Sequence, residues 1–296
     1  MRPYLLLLIL LLVGCSDEFE RYSQLSSLRV MAMRSEPAIP RLGQEAKLQA
    51  LVYGTEAIEY RWSLCPVAAK ARDGYACPIS PEAAVGVFGT GLPTLAPDRG
   101  PEAALTHGLA SSTLAALCEQ GLLAPGYANS VDCDLGFPIT VVLDVRSGEQ
   151  SLRAAFLVYL PTGDDATSDN HNPTILGLTA DGLPMMDTMA VAPGGPKTVT
   201  ASIATDAVEI RPVFPFEMGT GARPERLTFS WFSDVGSWKK DRTSFIDGET
   251  TLADAATNVW TAPDVLPDSV FFAVVVRDDR GGVGWLERKL TIEARP

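Results

Sequence analysis

Residues 258–292 read NVWTAPDVLPDSVFFAVVVRDDRGGVGWLERKLTI, and this stretch decides the fold. Trp260 opens a Trp-x-Ala-Pro turn. Val270–Val276 is an apolar run of strand length, well short of the roughly 20 residues that cross a bilayer. Asp278-Asp279-Arg280-Gly281-Gly282 is turn chemistry, because Asp and Gly tolerate the backbone conformations of tight reversals. Val283–Ile292 then supplies a second strand. The segment reads as a hairpin of two long strands.

The same grammar runs outward through the chain. In IEYRWSL, Ile58, Tyr60, Trp62 and Leu64 face one way and Glu59, Arg61 and Ser63 the other. AKLQALVY, ITVVLDVR and SLRAAFLVYL alternate likewise, as do KTVTASI and RLTFSWF in the second half. Period two over such lengths is the strand signal. The strands are separated by clusters such as APGGP, TGARP and APDVLP. Many short strands with regular turns indicate an all-β sandwich or barrel, not a parallel α/β fold.

YRWSL around Trp62 and FSWFS around Trp231 each place an aromatic residue two positions before a Trp. Each follows a strand, a Pro/Gly turn and another strand. This pattern resembles tandem immunoglobulin-like modules, including PKD-like and cadherin-like ones, in which a core Trp sits on strand C. The resemblance implies two tandem Ig-like β-sandwiches with Trp62 and Trp231 as core markers. Domain 1 spans 28–163, a linker 164–173, and domain 2 spans 174–296. The second half has no cysteine, so the sheet-bridging pair of antibody domains is missing.

Residues 66–135 do not read as β and are expected to form a long, partly helical insert in domain 1. SSTLAALCEQGLLAPG looks helical, with Ser111 or Ser112 as a cap and Leu114, Leu117 and Cys118 on one face. Cys65, Cys77, Cys118 and Cys133 lie at the edges of the insert or inside it. An even cysteine count in an exported chain reads as disulfides. Their spacings lack the close Cys-x2-Cys knuckle of zinc sites. Local pairing, Cys65–Cys77 and Cys118–Cys133, would staple two turn-rich segments; Cys65–Cys133 with Cys77–Cys118 would clamp the base of the insert instead.

The chain begins MRPYLLLLILLLVGCSDEFE. Arg2 and the apolar run make a signal-peptide core. Leu12-Val13-Gly14-Cys15 resembles the bacterial lipobox, which implies cleavage after residue 14 and a lipid on Cys15, with 15–27 as the lipidated tether. Ser16, where an Asp often retains lipoproteins in the inner membrane, favours the outer membrane. The expected location is the cell envelope, periplasmic or surface-exposed, with the membrane as a partner through the lipid.

The formal net charge is −12. An acidic chain repels nucleic acid, so none is expected as a partner. The sequence carries only His107 and His171 as histidines, and no hydrolase, metalloprotease, phosphate-loop or dinucleotide signature. No catalytic residue is assigned; His107 reads as a helix-edge or surface histidine. Asp165, Asp169, Asn170 and Asn172 ahead of Pro173 resemble the calcium linkers of cadherin-like repeats, with one residue too many before the proline. That resemblance implies Ca²⁺ on oxygen ligands; a solvated linker explains the segment equally well, and no other cofactor is expected. Two function classes follow. One is a non-enzymatic envelope lipoprotein whose modules bind or present a protein or glycan partner. The other is an enzyme or accessory subunit acting on cell-wall or extracellular polysaccharide, with Trp238, Trp260 and Trp285 as a sugar platform.

Overall fold

The computed structural model describes residues 21–65, 74–77, 85, 91–96, 100–120, 133, 135–163, 170–213 and 220–294. The first half contains β1 (Arg29–Glu36), β2 (Ala46–Tyr53), β3 (Ile58–Cys65), β4 (Thr94–Ala96), β5 (Glu102–Thr106), α1 (Ser111–Gln120), β6 (Phe137–Ser147) and β7 (Gln150–Leu160). Two sheets form, β1-β2-β5-β4 and β3-β6-β7. This is the ABED/CFG order of an immunoglobulin constant-type sandwich. Leu48 and Leu105 from one sheet meet Ile139, Val141, Val158 and Leu160 from the other. Leu114 and Leu117 of α1 close the end of that core.

The expected insert is therefore not one block. β4 and β5 fall inside 66–135 and carry the fourth and third positions of a core sheet. EAALT lacks β-branched residues until its last position and gives little strand signal. Its burial alternates once β2 pairs with it, since Ala103 and Leu105 point inward. Two segments flank these strands, and each holds a disulfide. Cys65 bonds Cys77 (S–S 2.15 Å) and Cys118 bonds Cys133 (S–S 2.05 Å).

The second half contains β8 (Ile175–Ala180), β9 (Leu183–Pro184), β10 (Thr188–Val191), β11 (Pro196–Ile203), β12 (Ile210–Pro212), β13 (Ala222–Pro224), β14 (Leu227–Ser233), β15 (Ser237–Trp238), β16 (Arg242–Phe245), α2 (Leu252–Ala255), β17 (Thr257–Thr261), β18 (Ser269–Arg277) and β19 (Val283–Ala294). The sheets are β10-β19-β18-β14-β16 and β15-β17-β11-β8-β9, with β12-β13 as a separate hairpin. Here β10 runs parallel to β19, from Thr188↔Thr291 to Val191↔Ala294. The core is aromatic. Trp231 and Trp238 rings lie 5.2 Å apart, and Trp260 meets Phe272 edge-on at 5.0 Å.

The two sandwiches lie side by side along most of β1. Val270, Phe272, Val274 and Val276 of β18 face the second core, while Ala273 and Val275 face outward. That outward face is covered by Leu25, Met31, Ala32 and Leu51 of the first half, together with Phe232 and Val283. Tyr53 meets Phe271 at 5.5 Å, and the Arg34 guanidinium sits 4.2 Å above the Trp285 ring. β18 is thus buried on both faces, which is why its sequence is a continuous apolar run rather than an alternating one.

The segment before β1 is also folded. Gln24 bridges Ser233 in parallel, Leu25 N–H donates to Ser233 O at 2.9 Å, and Ser233 N–H donates to Ser23 O at 3.0 Å. Tyr22 packs on Phe232, and Arg242 stacks over the Tyr22 ring at 4.1 Å. Residues 21–27, expected as part of a tether, are a strap that belongs to the second sandwich. Burial of Leu25 to 1% exposure supplies the reason.

Candidate functional site

The linker ends in a polar cluster at the junction of the sandwiches. Asn172 Nδ2 donates to Ser35 O and Glu36 Oε2, both at 2.7 Å, and Asn172 Oδ1 accepts from Val283 N–H at 2.8 Å. One side chain thereby ties the linker to β1 and β19. At the same crossing a Cβ on Gly284 would lie 1.7 Å from Pro173 O, so only glycine lets the two backbones meet there. Asn170 is buried, and its Nδ2 donates to Asp278 Oδ2 at 3.1 Å. Asp278 Oδ1 accepts from the N–H groups of Arg280 and Gly282, shaping the β18–β19 turn.

Around this turn stand two buried arginines. Arg211 grips Asp279 through Nε (3.0 Å) and Nη2 (2.6 Å), a bidentate pair that fastens the β12–β13 hairpin to the turn. Arg280 bonds Glu225 through Nε and Glu209 through Nη2, the latter at 2.5 Å. Burial, reinforced by the neighbouring Asp278, pushes the Glu225 carboxyl up to about 7 against the pull of Arg280. Burial likewise raises Asp278. Breaking one member of such a network strands a buried charge, so its role is to hold one geometry.

The positions expected to carry chemistry separate in the structure. Asp165 and Asp169 lie outside the described residues. Asn170 reaches a carboxylate but Asn172 is fully engaged in the junction, and among the described residues no three His, Cys, Asp or Glu side chains group as a metal site. His107 is buried, contrary to the surface position expected, with its ring 3.3 Å from Pro40 O. Burial lowers its pKa, which disfavours the charged form. His171 pairs with Glu209 at 2.6 Å, but its side chain is 78% exposed and Glu209 is shared with Arg280. This is a solvent-exposed hydrogen bond rather than an acid–base couple walled off from water.

The tryptophan platform does not form. Trp238 and Trp260 are buried in the core, and Trp285 is capped by Arg34. Trp231 is fully buried, with Nε1 donating to Thr243 Oγ1 at 2.9 Å. Trp62 is only half-buried, its Nε1 donating to Gly100 O at 3.1 Å. β3 is an edge strand, so the core beneath it is thin. A groove of about 400 Å³ that left no mark in the sequence is lined by Val30–Met33 of β1, by Ala154–Leu157 and Tyr159 of β7, and by Arg277, Gly281 and Val283 of the second sandwich.

No protein-family model matches the sequence, and no curated protein matches it as a relative. Solved structures with which it aligns are immunoglobulin tandems. The N-terminal Ig1-2 module of the Drosophila receptor protein tyrosine phosphatase DLAR aligns at 10% identity over 91% of this chain and 100% of that one, TM-score 0.25. A chimeric titin Z1Z2 tandem aligns at 13% identity over 90% of this chain and 100% of that one, TM-score 0.24. The N-terminal eight Ig domains of Down Syndrome Cell Adhesion Molecule align at 12% identity over 91% of this chain, TM-score 0.23, and the chain spans a quarter of that fragment's length. The strand order of the two sandwiches, rather than these scores, carries the fold assignment: tandem Ig-like sandwiches built on an all-β core.

Proposed function

We propose that this chain is a non-enzymatic lipoprotein of the bacterial cell envelope, anchored through Cys15, a short rigid arm that offers a binding surface to an envelope protein or glycan. The observation that supports this reading most directly is the strap. Residues 21–27 are docked on the second sandwich, so only the six links from Cys15 to Arg21 separate the lipidation position from the folded arm. Six extended residues reach at most about 20 Å. An arm hung that way stays close to the bilayer and keeps a fixed set of faces toward its surroundings.

The aromatic and histidine side chains that an enzyme on polysaccharide would spend on substrate are occupied otherwise. Trp238 and Trp260 build the core, and His107 is enclosed. Mass spectrometry of the native N-terminus, with detergent partitioning of the wild type and Cys15→Ser, tests the anchoring. A start at Cys15 carrying lipid supports it; a start further along without lipid sinks it. Crosslinking of the mature lipidated protein in envelopes tests the binding role, and hydrolysis of a wall or capsule polymer by the purified chain would favour the enzyme reading instead.

A further inference from the structure

The two sandwiches treat the edge of their last strand differently. In the second, β10 lies beside β19 as a parallel strand and covers its edge. In the first, β7 pairs with β6 alone among the described residues, along the full span Gln150–Leu160. The chain that follows β1 forms no strand beside β7: residues 37–45 carry no ladder, and with Pro37 and Pro40 three apart one of them would turn its missing N–H toward such a ladder.

The open side of β7 has a definite set of groups. Gly148, at φ 57°, and Glu149 make a short hairpin turn, and Ser147 pairs with Gln150. In such a hairpin the closing pair is hydrogen-bonded and alternate residues thereafter repeat the bond. Gln150, Leu152, Ala154 and Phe156 therefore bond to β6. The N–H and C=O groups of Ser151, Arg153, Ala155 and Leu157 point away from it. Leu157 is 44% exposed, and the alanines at 154 and 155 leave room beside the backbone. Val30–Met33 of β1 line the groove opposite, and Val283 and Arg277 of the second sandwich complete it, the Arg277 guanidinium held by Met31 O at 2.6 Å. Gly281 closes the far end, where an added Cβ would come within 3.2 Å of the Tyr159 ring.

We infer that the groove between β1 and β7 accepts an extended segment of another protein, with apolar side chains at alternate positions, which adds to β7 as a parallel strand. The occupant is specified by the fold itself, since β10, with sequence Thr-Met-Ala-Val, fills the corresponding place on the second sandwich. Main-chain bonds to Ala155 and Leu157 supply the affinity, and alternate side chains settle into the apolar groove. A second copy of this chain fits less well: its strands are embedded in sandwiches, whereas the groove has a wall on either side. This rests on the binding reading above only for what the partner does, and its test requires neither lipid nor membrane.

The test uses the full chain beginning at residue 16, without the anchor, and a displayed library of random seven-residue peptides. Selected peptides should alternate apolar residues. Their synthetic forms should slow amide exchange at Ala155 and Leu157 at least tenfold and leave Ala154 and Phe156 unchanged. Ala155→Pro removes one outward N–H without touching the β6 ladder, and should weaken binding at least tenfold while Ala155→Ser does not. Enrichment of no peptide, protection at other strands, or equal binding to a folded Ala155→Pro chain overturns the inference. If Ala155→Pro does not fold, the exchange pattern of the wild type decides alone. Slowed exchange at the same amides on raising the concentration of the chain by itself would assign the edge to self-pairing and overturn a foreign occupant.

Discussion

The two sandwiches share an architecture but not a means of holding it. The second has a thick aromatic core, a covered last strand and no cysteine. The first has a mainly aliphatic core closed by a helix, a last strand whose outer edge pairs with no described strand, and two disulfides. Its signature tryptophan is half-buried where that of the second is enclosed. Where interior packing is thinner, covalent staples restrict the unfolded chain and compensate. The sandwich that carries the open edge is the one held together by bonds that an edge-binding partner would not disturb.

The tryptophans should show the largest difference between the two sandwiches. Trp231→Ala removes a fully buried ring and its bond to Thr243, and should cost about 3–5 kcal/mol. Trp62→Ala should cost about 2–3 kcal/mol, less than Trp231→Ala, since the ring on edge strand β3 keeps part of its surface exposed. Urea unfolding of both variants checks the pair. Equal losses would mean that the first core is as deep as the second.

Disulfides come next. Cys118→Ser with Cys133→Ser, or Cys65→Ser with Cys77→Ser, should each cost roughly 3 kcal/mol in the chain-entropy account. The loss should appear as faster exchange in β3–β7 and leave β14–β19 unchanged. Peptide mapping without reductant reads the connectivity directly. A peptide joining Cys65 to Cys133 would replace the local pairing with the clamp.

A smaller effect is expected at the strap. Leu25→Ala should cost about 2–3 kcal/mol and expose the outward face of Phe232, Ala273 and Val275 to a hydrophobic dye. Limited proteolysis near residue 28 should then outpace cleavage elsewhere. An unchanged digest would show that the strap does not hold the arm.

The smallest effect is one of pH. Glu225 titrates at about 7 when folded, against 4.5 ordinarily, while facing Arg280, Glu209 and Asp278. A raised carboxyl means that the folded state holds the proton more tightly. That stabilising term is present below about 4.5 and is lost as pH rises through about 7. Glu225→Gln cannot lose it. The stability of the variant relative to wild type should therefore climb by about 1–2 kcal/mol between pH 5 and 8. A flat difference would place the proton elsewhere in the cluster.

Much of the fold was legible because alternation reports which residues face inward. It does not report how deep the core is, so Trp62 and Trp231 read alike. β4 and β5 were hidden because EAALT owes its strand state to pairing with β2 rather than to its own preferences. The side-by-side packing left one mark in the sequence: Val270–Val276 is apolar at every position, as a strand buried on both faces must be. The junction cluster left none. Its members come from residues 170–172, 209–211, 225 and 278–280, and only the folded chain brings them together. The outer edge of β7 was equally silent, since it is defined by the lack of a second pairing strand among the described residues.

The two sandwiches form one arm, packed along β1, rather than beads on a linker. Small-angle X-ray scattering of the chain without its anchor distinguishes the two arrangements. A single compact body of this length has a radius of gyration of about 19 Å, whereas two modules in line, about 40 Å between centres, would give about 25 Å. One packed arm gives a value of about 19–20 Å that does not change with salt. A value near 25 Å, with the scattering of two separated lobes, would contradict it.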